Sequence, residues 1–342
     1  MVDYFAFQWH ILDDCDQRCK HCYIFAEDNN KELHTMNLDD MKKIINNVIQ
    51  MCKKTNRKPY FSITGGDPIL HPNFWDLLEI LSENNIDYSI MGNPYHLTDD
   101  VCKRLASLNC RQYQLSLDGL RKTHDYFRMP GSYDSTLKSI KTLKQSGIKT
   151  SVMTTVSSLN INQIPYLVDV VVSNHVDLFS FARYCPTGVA ENIISPDSYK
   201  NFLEKMWVKF NQYKYSNTLF NLKDHLWTLL LYEKGLFTIP EDLKDNVIYD
   251  GCGCANSHLT ILPNGDVYAC RRMESRVGNA LESDLFDIFK SSEMDKYRQY
   301  DNFEKCGECE LLRFCRGCPA VSYGYTNNMY SPDPQCWMSI KN

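Results

Sequence analysis

The chain has 342 residues, 43% hydrophobic and 23% charged, with a formal net charge of −5, an ordinary globular composition for one large domain or two. No apolar run approaches the roughly 20 residues of a membrane span, and the N-terminus MVDYFAFQWHILDD lacks the basic segment and apolar core of a signal peptide. No basic stripe marks a nucleic-acid partner, so a cytoplasmic protein without repeats or low-complexity tracts is expected.

In chain order, strand-like runs at 4–12, 60–64, 87–91, 113–117, 150–156 and 177–183 alternate with amphipathic helices. In 38–52, Leu38, Met41, Ile44, Ile45, Val48, Ile49 and Cys52 form a stripe at helical spacing, with Asn37 placed as its cap. Phe74, Leu77, Leu78 and Leu81 mark the next helix. Leu137, Ile140 and Leu143 mark one that Gly147 can end. Six such units in a row predict a parallel sheet with helices outside it. Residues 197–250 read as mostly helical. From 252 the character changes: HLTILPNGDVYAC predicts a hairpin turning at Pro263-Asn264-Gly265, ESDLFDIFKSS a short helix, and the remainder cysteine-rich loop. The expected division is 1–195, a helical linker at 196–250, and 251–342.

The 15 cysteines are clustered: three at Cys15, Cys19 and Cys22, eight between 252 and 336, and only Cys52, Cys102, Cys110 and Cys185 between. In a chain without secretion signals, clustered thiols indicate metal binding rather than disulfides. Structural zinc and most iron–sulfur clusters take four protein ligands. Three thiols in CDQRCKHCY leave one coordination position open, where chemistry can occur. His10 or His21 could complete a zinc site, but His21 is wedged between Cys19 and Cys22, which favours a [4Fe–4S] cluster with one free iron. Cys52 and Cys102 fall on apolar helical faces and are expected in the core; Cys110 and Cys185 are expected to be structural.

The C-x3-C-x2-C motif followed by Tyr23, just after a first strand, resembles the signature of the radical SAM enzymes. The resemblance implies a (β/α)6 partial TIM barrel. It also implies S-adenosylmethionine chelated through its amino and carboxylate groups by the free iron. Reductive cleavage would then yield a 5′-deoxyadenosyl radical that abstracts hydrogen from an unactivated C–H bond, with an electron donor such as flavodoxin or ferredoxin. Matched to the family, SITGGDP supplies Gly65 and Gly66, whose backbone would hold the methionine amino group, with Asp67 where Glu is usual. QLSLDG supplies Ser116 and Asp118 facing the cofactor, and HDYFRMPGSYD supplies Arg128 for its carboxylate. MGNPYHL departs from the family's usual Thr-Asn-Gly, and nothing is carried over from it.

Beyond 250, the order Cys252-x-Cys254, Cys270, C-x2-C-x5-C-x2-C at Cys306, Cys309, Cys315 and Cys318, then Cys336 resembles a SPASM domain. That domain implies two auxiliary [4Fe–4S] clusters: Cys252, Cys254, Cys270 and Cys318 on one, and Cys306, Cys309, Cys315 and Cys336 on the other. If only one of Cys252 and Cys254 is a ligand, the first auxiliary cluster has an open iron. Two structural zinc sites are the alternative.

SPASM enzymes mostly modify peptides or proteins. The sulfatase-maturing subgroup places an acidic residue directly after the cysteine that follows the hairpin. Here Arg271 and Arg272 follow Cys270, which places formylglycine formation below peptide crosslinking. The chain looks similar to maturases of ribosomally made peptides that form thioethers at cysteine. About 14 residues precede the first motif, so an N-terminal leader-binding domain is not expected. The barrel and SPASM surfaces, or a separate leader-recognition protein, would read the precursor peptide. The alternatives are another SPASM enzyme (C–C crosslinking or epimerising maturase, formylglycine-type maturase, haem or cofactor biosynthesis) and a zinc-binding interaction protein.

Overall fold

The computed structural model describes residues 3–25, 32–186, 193–244 and 247–339. Its frame is one ten-stranded open sheet in the order β10-β9-β8-β1-β2-β3-β4-β5-β6-β7. Strands β1 (Tyr4–His10), β2 (Lys58–Thr64), β3 (Asp87–Met91), β4 (Gln112–Ser116), β5 (Lys149–Val156) and β6 (Leu178–Arg183) pair in parallel, each with the next. The helices between them are α1 (Leu38–Thr55), α2 (Phe74–Glu83), α3 (Asp99–Ser107), α4 (Arg121–Phe127), α5 (Ser132–Gln145) and α6 (Ile164–Ser173). The sheet does not close, so the fold is a partial barrel. Phe5, Phe7 and Trp9 alternate into its core from β1, against Phe61 of β2.

Local chemistry accounts for the helices. The Asn37 side chain accepts from the Asp40 amide to cap α1, which buries Met41, Ile44, Ile45, Val48, Met51 and Cys52. Gly147 takes a left-handed φ of 79° one residue beyond the C-cap of α5. β1 stops at His10; Leu12, expected in the strand, makes only an isolated bridge to Thr35.

The C-terminal third departs further from expectation. The segment read as helical holds α7 (Pro196–Gln212) and α8 (Leu226–Glu233), but also a strand, β7 (Leu219–Asn221), parallel to β6. The hairpin is β8 (His258–Ile261) and β9 (Asp266–Tyr268), extended by a third strand, β10 (Arg276–Asn279). β8 pairs parallel with β1, so the change in composition near 250 is not a break in the sheet. Helices α9 (Leu285–Phe289) and α10 (Ser292–Asp295) follow, and the expected loop contains α11 (Pro319–Thr326). Asn47 of α1 joins the halves: its Nδ2 donates to the Ala280 and Ser283 carbonyls, and its Oδ1 accepts from the Leu285 amide.

Candidate active site and cluster-binding cysteines

All six parallel strands run toward one rim, the end at which such folds place their chemistry. A solvent-connected cavity of about 470 Å³ lies there, and each of β1 to β6 contributes wall residues. Cys15, Cys19, Cys22, Tyr23, Gly65, Gly66, Ser116 and Arg128 all line it. The sequence motifs, spread over more than a hundred residues, therefore meet in one space.

The cysteine loop leaves β1 and is held by its neighbours. The Asn93 side chain and the Gln17 amide donate to Cys15 Sγ at 3.3 and 3.4 Å. Arg128 Nη1 approaches Cys19 Sγ at 3.6 Å, while its Nε donates to Asp118 Oδ2 at 2.7 Å. Asp118 is buried and does not line the cavity. Its Oδ1 accepts from the Thr155 amide and its Oδ2 also faces His21 Nε2 at 3.5 Å. Burial alone would raise the Asp118 pKa; Arg128, His21 and the Thr155 amide outweigh it and hold the carboxyl down at about 2. Asp118, expected to face the cofactor, instead stands behind Arg128 and orients it. His124, buried beneath, is lowered to about 4 by burial and by Arg128, so it is neutral: Nδ1 accepts from the Asp118 amide, leaving Nε2–H for Ser132 Oγ.

The glycine pair has a structural cause. A Cβ on Gly65, whose φ is +150°, would lie 2.2 Å from the Leu12 carbonyl oxygen, and one on Gly66 would lie 1.9 Å from that of Asp14. The glycines thus let the end of β2 dock on the backbone of the cysteine loop, through Gly66 N–H to Leu12 O and Asp67 N–H to Asp14 O. Asp67 also sits outside the cavity wall, fully buried. Its Oδ1 accepts from the Asn93 amide and its Oδ2 has no partner; burial raises its pKa to about 6.

The eight later cysteines fall into two groups. Cys252, Cys254, Cys270 and Cys318 line one small cavity, and Cys306, Cys309, Cys315 and Cys336 line another. Cys315 and Cys318 diverge because the two residues between them, Arg316 and Gly317, both take left-handed φ, 77° and 58°. Arg316 fixes this turn by donating to the Asp250, Leu312 and Cys252 carbonyls, and Asp333 accepts from the Cys318 amide at 2.8 Å. Cys252, Cys254 and Cys270 also line the barrel cavity, with Cys185 from beyond β6.

A mononuclear zinc site, with Zn–S bonds near 2.3 Å, needs its ligand atoms within about 4 Å of one another. Among the described residues no three cysteines gather within 4.8 Å; the one group that does is Asp16, Asp67 and His96. His21 turns toward Asp118 rather than completing the thiol set. The later cysteines instead surround two defined cavities, four to each, which matches the ligand number of a [4Fe–4S] cluster.

Sequence reasoning passed over several of these residues. Asn93 lies in the segment set aside as atypical, and Thr155 and Lys223 belong to no motif. For Asn93 and Thr155, position at the C-terminal end of a parallel strand was the available signal. Lys223 opens on the cavity, and its pKa is lowered to about 8 by desolvation there and by Arg272, against the pull of Cys270.

Family models for the radical SAM superfamily and for the SPASM iron–sulfur cluster-binding domain match residues 9–171 and 252–319. The chain is 23% identical over 337 residues to an AdoMet-dependent heme synthase of Methanosarcina barkeri, covering 96% of this chain and 95% of the relative. It is 24% identical over 343 residues to the mycofactocin maturase MftC of Mycobacterium tuberculosis, covering 96% and 81%. Streptococcus suis SuiB bound to S-adenosylmethionine has a TM-score of 0.75 at 22% identity, covering 98% of this chain and 78% of that one. For anSMEcpe with bound AdoMet the values are 0.76, 16%, 98% and 90%. Two domain models matched in order, on a fold shared over nearly the whole chain, place this enzyme in the radical SAM superfamily with a C-terminal SPASM domain, its cofactors S-adenosylmethionine and [4Fe–4S] clusters.

Proposed function

We propose that the enzyme oxidatively modifies a ribosomally made peptide, forming thioether crosslinks at cysteine. The observation that carries this reading is that Cys252, Cys254 and Cys270 border the same cavity as Cys15, Cys19 and Cys22. When bound, the clusters and S-adenosylmethionine supply hydrogen-atom abstraction and an acceptor for the second electron. Closing a thioether breaks one S–H and one C–H bond, makes one S–C bond and removes two protons and two electrons, so it needs both functions beside one substrate.

The chain's own residues provide the positioning. Arg128, held on edge by Asp118, presents its guanidinium to a carboxylate at the cavity wall, and the backbone at Gly65 and Gly66 takes the methionine amino group. Cys15, Cys19 and Cys22 ligate the first cluster, and the two later groups of four ligate the auxiliary ones. Among the described residues no aspartate or glutamate lines the cavity, which disfavours chemistry that needs a carboxylate base there. SuiB, which shares the fold, has also been solved bound to its precursor peptide SuiA. A second reading, tetrapyrrole or cofactor biosynthesis, draws on the heme synthase relatives.

Intact-mass analysis of short cysteine-containing precursor peptides, each co-expressed with this chain, tests the reading. Loss of two hydrogens per bond, with a cysteine no longer alkylatable, supports it; an unmodified peptide in the presence of fully loaded enzyme counts against it.

A further inference from the structure

Among the described residues, five lysine or arginine side chains line the barrel cavity: Arg128, Arg183, Lys223, Arg271 and Arg272. Three are committed. Arg128 is bound to Asp118, Arg183 to Asp224 and Asp333, and Arg272 to the Arg183 carbonyl and Cys318 Sγ. The other two are not. Lys223 makes no hydrogen bond or ion pair among the described residues, although it is beside Arg272. Arg271 lies 4.9 Å from the Tyr23 ring centroid, and its Nε is buried without a partner. Neither donates to a cluster cysteine. The described walls carry no carboxylate; Lys223 is repelled by Arg272 and drawn only to Cys270, so two cations without a carboxylate partner face the cavity, an excess of positive charge that an anionic ligand relieves.

We propose that Lys223 and Arg271 form a carboxylate subsite that docks the substrate beside the reacting centre. On the peptide reading above, on which this rests, the group is an Asp or Glu side chain or the peptide's C-terminal carboxylate. Arg271, with its planar fork, takes the carboxylate through two donors, and Lys223 contributes a point charge on a flexible stem.

The test is anaerobic fluorescence polarisation with the cluster-loaded enzyme and S-adenosylmethionine. The probes are dansyl-Gly-Ala-Glu-Ala-amide, the same peptide with Gln for Glu, and that Gln peptide with a free C-terminus. At least one carboxylate probe should bind ten-fold or more tightly than the neutral Gln amide. Which one does so assigns the source as side chain or terminus. The preference should collapse in Lys223→Met and Arg271→Met and persist in Lys223→Arg, with iron content and S-adenosylmethionine affinity unchanged. Equal binding of charged and neutral peptides (including none), a preference that survives Lys223→Met/Arg271→Met, or a loss of S-adenosylmethionine binding instead, would each overturn the proposal. The exception separates the two readings. Coproporphyrin III, a tetracarboxylate, is the fourth probe: if it binds in a Lys223- and Arg271-dependent way while no peptide binds, the carboxylate subsite stands and the peptide reading fails.

Discussion

Asp333→Ala should unfold the link between barrel and SPASM domain and strip iron from one site only. Asp333 is buried; it accepts from Arg183 Nη1 at 2.5 Å, from the Cys318 amide at 2.8 Å and from the Gln335 amide at 3.0 Å. Arg183, equally buried, keeps Asp224 at 2.7 Å. Removing one partner of a buried ion pair costs roughly 3–5 kcal/mol, because the remaining charge is left uncompensated. Unfolding entropy is roughly 2.1 cal/mol/K per residue. For 342 residues that gives about 0.7 kcal/mol/K, and a fall in apparent Tm of roughly 4–7 °C. The same substitution frees the amide of Cys318, so iron should fall by about four per chain, one cluster's worth. Arg183→Met should lower Tm comparably but leave Asp333 on the Cys318 amide, so its iron should hold. The assay is anaerobic thermal denaturation with iron and sulfide counts. An Asp333→Ala protein with wild-type Tm and full iron, or an Arg183→Met protein that loses the cluster while Asp333→Ala keeps it, would refute the reasoning.

Replacing Cys15, Cys19 and Cys22 with Ala should remove about four irons and abolish 5′-deoxyadenosine production while the SPASM iron remains, as iron counting and chromatography will show. Arg128→Lys should weaken S-adenosylmethionine binding roughly ten-fold, since charge-assisted bonds are worth about 1.5–3 kcal/mol and the side-on bond to Asp118 is lost; equilibrium binding measures it. Cys336→Ala should perturb only the cluster held with Cys306, Cys309 and Cys315, and Cys318→Ala only that held with Cys252, Cys254 and Cys270, with cleavage of S-adenosylmethionine intact in both; spectroscopy of the reduced clusters checks this. Asp67 is held with its pKa raised to about 6 by burial. Its contribution is therefore most favourable below the unfolded value near 3.9 and is lost as pH rises through about 6. Asp67→Asn should accordingly raise Tm at pH 8 and change it little at pH 4.5.

The six parallel strands were legible because each is a short apolar run bounded by helical periodicity, and the cysteine spacings were legible because a loop crowds several ligands into few residues. β7 was not: it is three residues long, and Leu219 and Asn221 are exposed, so no alternation marks it. α11 was hidden by its aromatic and glycine content, although Pro319 sits at its first turn. A C-x2-C spacing invites pairing, and only the left-handed turn at Arg316 and Gly317 explains why Cys315 and Cys318 face different cavities. The sequence motif places Asp118 toward the cofactor; its burial behind the Arg128 guanidinium needs coordinates. Lys223 and Arg271 gain meaning only from the cavity they share and the carboxylate it lacks among the described residues, which no linear pattern records.

Metal and sulfide analysis of the anaerobically purified wild-type chain tests the central claim most directly. Three sites built on eleven cysteines predict about twelve irons and about twelve sulfides per chain, four of each per cluster, with 5′-deoxyadenosine formed on reduction with S-adenosylmethionine. Stoichiometric zinc, no sulfide and intact S-adenosylmethionine would contradict it.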